Sequence, residues 1–295
     1  MVDGQQARSD PHTDQDQGAG ELRSIGELTF ELFRRGASGE PLVVLHDAEY
    51  MASGADPFLV RLAERYRVLA PSHPGFGRSS LPADFDSVDD LAYAYLDLLR
   101  TLYPDERVHL VGLGFGGWIA AELAIRCTHG LRSLALVDAL GIKVGGVQDR
   151  DIADIFVVDA DELIRISWHD AELGARQMKL PGRGGLSEDE LIALLRNRQS
   201  TALFGWKPFL HSPKLRRRLA RIDVPTLVVW GASDGWVSVD YGRAYAAAIP
   251  GARFEIIPEA GHFPYLEQPD AFVDTLTGWL ATCHAQEKNL AGSRA

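Results

Sequence analysis

Apolar positions along this chain repeat in two ways. Residues 28–34, LTFELFR, alternate apolar and polar side chains, the period of a half-buried strand. Residues 41–46, 67–71, 108–111, 131–137, 224–230 and 254–258 are short apolar runs suited to strands buried on both faces. Between these runs, residues 56–66, 87–102, 118–124, 239–249 and 269–283 carry apolar residues at helical spacing. Asp89 and Asp90 fall in the first turn of 87–102, where negative charge suits the helix dipole. After one edge strand the alternation of strands and helices predicts an α/β fold, a mostly parallel doubly wound sheet covered on both faces.

The alternation breaks between residues 141 and 221. That block contains no buried strand pattern but reads as helices over 151–166, 167–178, 187–203 and 213–221, with Gly182-Arg183-Gly184-Gly185 as a flexible joint. The expected organisation is a core of residues 21–140 and 222–285 with a helical lid of residues 141–221 inserted after the sixth strand. Residues 1–20, rich in Gln, Asp, Gly and Ser, read as a disordered tail, and 286–295 as a frayed C-terminus.

Composition narrows the partners. The formal net charge of −11 argues against nucleic acid or an anionic membrane, because phosphate binding needs a basic surface. No apolar run approaches membrane-spanning length, and the N-terminus has no apolar signal segment. Cys127 and Cys283, the two cysteines, fit no disulfide framework or zinc spacing and read as reduced thiols. The expectation is a cytoplasmic protein acting on a small molecule, with no cofactor and no metal; Gly112-Leu113-Gly114-Phe115-Gly116 has the wrong spacing for a dinucleotide fingerprint.

The chemistry centres on VGLGFGGW at 111–118, where an apolar strand runs into a glycine-dense turn and out into a helix. That is the setting of the nucleophile elbow, G-x-S-x-G. Gly112 and Gly116 stand where close approach of strand and helix requires them, but the middle position, which should carry the serine, is Gly114. Neither Asp nor Cys replaces it, so the elbow offers no covalent catalyst.

Together with HPGFGRSS at 73–80, VVWGASDGWV at 228–237 and EAGHFPYLEQPDAF at 259–272, this stretch resembles the α/β-hydrolase family, and the likeness runs from about residue 28 to residue 283. The resemblance implies Asp234 as the acid, His262 as the base and Gly114 at the nucleophile position. It implies backbone N–H groups of Phe115 and Ala48 as the oxyanion hole. Asp47 stands where the family usually has glycine, and reads either as a further acid/base or as a loop carboxylate bonded to its own backbone. Asp138 is a weaker candidate for the acid, or a cap, and His46 and His73 read as loop supports. Trp168 and Trp236 are candidates for lining a substrate pocket, with packing as the plainer role. The expected function is hydrolysis of a small, mainly apolar ester, lactone or activated carbonyl without a serine acyl-enzyme, with proton-transfer chemistry of the lyase or isomerase kind beside it. The alternatives are a catalytically silent ligand-binding protein on a hydrolase scaffold, or a serine hydrolase carrying an engineered Ser-to-Gly change at Gly114.

Overall fold

The computed structural model describes residues 20–48, 56–180 and 185–292, with side chains to residue 284. Eight strands form one sheet: β1 (Glu21–Ile25), β2 (Leu28–Arg35), β3 (Glu40–Leu45), β4 (Tyr66–Pro71), β5 (Val108–Leu113), β6 (Leu131–Val137), β7 (Thr226–Gly231) and β8 (Arg253–Ile257). Their order is β1-β2-β4-β3-β5-β6-β7-β8. The pairs β1–β2 and β2–β4 are antiparallel, and every other neighbouring pair is parallel. β5 and β7 are buried at every residue, as their unbroken apolar runs require in a sheet covered on both faces.

The helices are α1 (Pro57–Leu62), α2 (Val88–Leu102), α3 (Gly114–Arg126), α4 (Ala160–Ser167), α5 (Ala171–Gln177), α6 (Glu188–Gly205), α7 (Leu215–Arg218), α8 (Val239–Ala247), α9 (Pro264–Glu267) and α10 (Pro269–Gly292). Ser87 opens α2 with a capping box closed by Asp90, which satisfies backbone donors that a helix start leaves free. α3 is buried from Gly114 through Ile125 and leaves β5 without a connecting loop. Two glycines make that approach feasible. A Cβ at Gly112 would lie 2.5 Å from the Gly116 carbonyl oxygen, and one at Gly116 would overlap the Leu45 carbonyl.

Several elements differ from the sequence expectation. β1 is an additional, mostly exposed edge strand, turned onto β2 through Gly26 at φ 58°. Its sequence, ELRSI, lacks the apolar content that marks a buried strand. The helix expected over 56–66 stops at Leu62. The one expected over 151–166 begins only at Ala160, where Asp159 caps the Glu162 N–H at 2.8 Å. Ahead of it, Ile152 bridges to Val237 and the Ala153 N–H donates to the Trp236 carbonyl, so the core captures this backbone before a helix can form. α9 was not legible in the pattern, and the α10 backbone continues past the expected end at 283 to Gly292. The tail up to residue 19 and Gly182, Arg183 and Gly184 of the expected joint lie outside the described residues.

The helices α4 to α7 lie in the chain between β6 and β7, where the insertion was expected. This block is tied to the core on two sides. The C-terminus of α4 offers the Ile166 and Ser167 carbonyls to the Gly235 and His262 N–H groups at 2.9 and 2.7 Å. α6 holds the loop after β4 through Arg196 to the Gly77 and Ser79 carbonyls, Asn197 to the Gly77 N–H and Ser200 to the Gly75 carbonyl. Among the described residues no helix is long and apolar enough to cross a membrane.

The β5–α3 junction has no slack for a methyl group, since the atom that a Cβ at 116 would meet belongs to backbone. Gly116→Ala is expected to lower the unfolding free energy by about 1–3 kcal/mol or more. Urea denaturation checks this, and an unchanged midpoint would contradict the close approach described above.

Candidate active site

Parallel strands carry their loops to the same edge, and register decides which residues meet there. Leu45 of β3 pairs with Gly112 of β5. Two residues further along each chain stand Asp47 and Gly114, and they face each other. Gly114 sits at φ 48°, in the left-handed region that disfavours a side chain. A Cβ built there would overlap the Asp47 carboxylate. The Asp47 carboxylate therefore fills the space that an elbow side chain would need.

Asp47 is 1% exposed. Its Oδ1 accepts a hydrogen bond from the Phe115 N–H at 2.6 Å, at the start of α3, where the helix dipole favours negative charge. Its Oδ2 makes no hydrogen bond. The nearest charged group is His262, whose Nε2 lies 3.4 Å from Oδ2 and is likewise without a hydrogen-bond partner.

Two stacked histidines hold the loop that carries Asp47. The rings of His46 and His73 lie 3.7 Å apart. His46 Nε2 accepts from the His73 N–H at 3.0 Å, so its proton is on Nδ1, which donates to the Asp47 carbonyl at 2.6 Å. His73 Nε2 donates to the His46 carbonyl at 2.9 Å, and its Nδ1 then accepts from the Tyr95 hydroxyl. Burial pushes His46 down to about 4 against the opposing pull of Asp47. Burial and then the neighbouring His46 take His73 well below its usual value. Both rings are neutral supports, as their sequence context suggested.

On the other side, Asp234 follows β7 and His262 follows β8. His262 Nδ1 donates to Asp234 Oδ2 at 2.8 Å, while Asp234 Oδ1 accepts from the Trp236 and Val237 N–H groups at 2.8 and 3.2 Å. Trp236 stacks on the His262 ring at 4.2 Å and anchors its own Nε1 to the Ser167 hydroxyl at 2.7 Å. Burial opposes a charged His262, but Asp234 and Asp47 together outweigh it and hold the imidazole well above its ordinary value. Both neighbouring carboxyl groups thus favour the protonated imidazole.

Asp138 stands at the carboxyl end of β6 with φ 45°, fully buried, its Oδ1 accepting from the Gly231 N–H at 2.8 Å. Burial first, and the charge of Asp234 second, push this carboxyl well above the usual carboxylate range, so it is held neutral. Among the described residues, Asp138, Asp234 and His262 bring one donor atom each within 4.8 Å of one another, a grouping the sequence did not single out. Within this group His262 Nδ1 and Asp234 are already hydrogen-bonded to each other at 2.8 Å.

The structure thus brings Asp234, His262, Gly114, Phe115 and Asp47 together. The Phe115 N–H, expected to serve a substrate oxyanion, is engaged by Asp47. Ala48, buried at 2%, follows directly in the chain, and the residues from 49 to 55 lie outside the described part. Trp236 touches His262, whereas Trp168 packs behind it against Phe263 at 5.3 Å, 4% exposed. Sequence reasoning missed Ser167, which holds both His262 and Trp236, and Tyr95, whose hydroxyl bonds His73 Nδ1. Neither belongs to a motif, and only the folded chain places them.

A family model described as "Alpha/beta hydrolase family" matches residues 42–275. An uncharacterized protein of Mycobacterium tuberculosis is 27% identical over 286 residues, covering 89% of this chain and 82% of its own length. A 2-hydroxy-6-oxononadienedioate/2-hydroxy-6-oxononatrienedioate hydrolase of Cupriavidus pinatubonensis is 28% identical over 262 residues, 80% of this chain and 85% of its own. Among solved structures, a meta-cleavage product hydrolase from Pseudomonas fluorescens IP01 superposes with a TM-score of 0.69 at 20% identity, over 90% of this chain and 98% of that one.

Folding requires His46 to be neutral, whereas the unfolded chain protonates it near the ordinary histidine value of about 6.5. The unfolded state therefore binds the extra proton first as pH falls. Stability is expected to decline from about pH 6.5 down to about 4, the value of the folded His46, and to decline no further on this account below it. Melting temperature measured across that window should show a shallower slope in His46→Gln than in the parent. Equal slopes would contradict the buried neutral pair.

Proposed function

The chain belongs to the alpha/beta hydrolase family, and from that premise we propose that it hydrolyses a small, mainly apolar substrate without a serine acyl-enzyme, using Asp47, His262 and Asp234. The observation that carries this reading is the Asp47 carboxylate in the space of the missing elbow side chain, within 3.4 Å of His262 Nε2. Asp234 fixes the tautomer and orientation of His262, the part a buried carboxylate plays for a catalytic base. Relatives named as hydrolases support hydrolysis ahead of lyase or isomerase chemistry.

The geometry modifies the expected substrate. A carbonyl oxygen of an ester, lactone or activated carbonyl would have to displace Asp47 from the Phe115 N–H to use it as an oxyanion donor. The helical block of 141–221 is assigned the role of lid, because the side chains of His262 and Asp47 are 0% and 1% exposed and substrate must enter by displacing a covering element. A serine removed in the laboratory leaves a vacant slot beside the base, and here the slot is filled, which supports a natural glycine. The same Asp47–Phe115 bond also favours a second reading, a silent binding protein whose anion hole is permanently occupied.

The test is turnover of p-nitrophenyl esters, lactones and aryl glycidyl ethers by the parent and two variants. His262→Ala is expected to lose about a thousandfold or more in kcat/KM. Gly114→Ser, strained at φ 48° and against Asp47, is expected to melt earlier and to resist a serine-directed phosphonate. The double variant Asp47→Gly with Gly114→Ser should relieve the clash and accept the phosphonate. Turnover indifferent to His262→Ala would sink the proposal, and a parent inert toward the whole panel would favour the binding protein.

A further inference from the structure

Asp47 and Gly114 come from different strands, yet the carboxylate of one fills the side-chain space of the other. The elbow of this fold exists to present a nucleophilic atom to substrate. Here the atom presented at that place is a carboxylate oxygen from the β3 loop. Its two oxygens are in unlike surroundings. Oδ1 is fixed by the Phe115 N–H at 2.6 Å at the start of α3. Oδ2 is buried, makes no hydrogen bond, and lies on the side of His262.

We propose that Asp47 is the nucleophile of this site: its Oδ2 attacks an electrophilic tetrahedral carbon, as in a strained cyclic ether, and forms an ester that water and His262 then hydrolyse. This rests on the hydrolase reading above and names its covalent step and substrate class. Three features of the site favour the nucleophilic role over that of a base toward water. The Asp47 carboxylate stands in the side-chain space from which the elbow of this fold presents its nucleophile, and its Oδ2 has no hydrogen bond. Attack by a carboxylate on an ester carbonyl would give an anhydride, more reactive than the substrate, whereas attack on a tetrahedral carbon gives an ordinary ester. Finally, Oδ1 already occupies the N–H that would have to stabilise the intermediate when such an ester is cleaved.

The two steps balance. In the first, Oδ2 forms a bond to a ring carbon, and the bond from that carbon to the ring oxygen breaks with its electron pair on the oxygen. Asp47 thereby loses its charge. The new alkoxide, a far stronger base than an imidazole, takes the proton of His262, whose Nε2 lies 3.4 Å from Oδ2, through water. In the second, water attacks Cγ and His262 Nε2 takes its proton, while negative charge rests on Oδ1 at the Phe115 N–H. The bond from Cγ to Oδ2 then breaks, and Oδ2 leaves in the diol with the proton of the new carboxylic acid. The oxygen of the water stays in Asp47, and His262 is again an imidazolium. Giving its proton to the alkoxide in the first step leaves His262 as the base that the second step needs.

The experiment uses the full chain with p-nitrophenyl glycidyl ether, and with propylene oxide as a probe too small to be excluded by shape. In His262→Ala and His262→Gln, peptide mass mapping is expected to find a stable ester on Asp47, and Asp47→Asn should take up no label at that peptide. In the parent, a single turnover in heavy-oxygen water should place the heavy oxygen in the Asp47 peptide and leave the first diol light. Heavy oxygen in the first diol with none in Asp47 would make Asp47 a base and overturn the proposal. So would an Asp47 left unmodified by both probes in both His262 variants. His262-dependent turnover of the wider panel with Asp47 unmodified would reject the nucleophile and leave the hydrolase reading standing. A parent inert toward every substrate, with no ester on Asp47, would remove both.

Discussion

Three carboxyl groups and one imidazole are buried together at the carboxyl edge of this sheet, and their charge has to be balanced without water. Isolated buried carboxylates are too costly to persist, so each must find a proton, a cation or a set of hydrogen-bond donors. Asp138 takes the proton. Asp234 has two backbone donors and the imidazolium. Asp47 has the first turn of α3 on one oxygen and the same imidazolium near the other. His262 thus stands between two carboxyl groups, Asp234 at 2.8 Å and Asp47 at 3.4 Å.

This balance explains features that look unrelated in the chain. Gly114 must be bare, because its place is taken by a carboxylate. His46 and His73 are held neutral by burial, and Asp47 is too weak a counter-charge to reverse it at His46. Their stack and their chain of hydrogen bonds to Tyr95 spend every ring nitrogen, which leaves neither ring a free site for a further proton. Near that loop, Glu31 of β2 accepts from the Ser72 hydroxyl and from Arg78, so an acidic group supports the loop after β4 although the residue at 72 is a serine.

Much of this was readable in the residues. The strands from β2 to β8 announce themselves by apolar runs, and Asp234 and His262 by turns with distinctive neighbours. β1 was not readable, because an exposed edge strand needs no apolar alternation. The stretch from 151 to 159 has helical periodicity, but its backbone bonds to Trp236 and Val237 instead, a tertiary demand that outranks local propensity. Asp47 shows the limit most clearly. Its proximity to the elbow followed from the motif, and its even split between acid/base and loop carboxylate was as far as the residues went. That its carboxylate occupies the place of the elbow side chain depends on strand register and on the left-handed turn at Gly114, which only the fold supplies.

The attachment of α4 has a consequence for how such a site opens. The Ser167 carbonyl holds the His262 N–H, and the Ser167 hydroxyl holds the Trp236 indole. A swing of the whole helical block would pull these bonds apart and release the imidazole from its aromatic support. Within the block, α4 holds the imidazole side through Ser167, whereas α6 is bonded to the loop at Gly75, Gly77 and Ser79 and, through Arg198 and Glu190, to Ile155 and Lys179. Loss of the α6 bonds would leave those of Ser167 to His262 and Trp236 untouched, so the two sides of the block differ in what their loss would disturb.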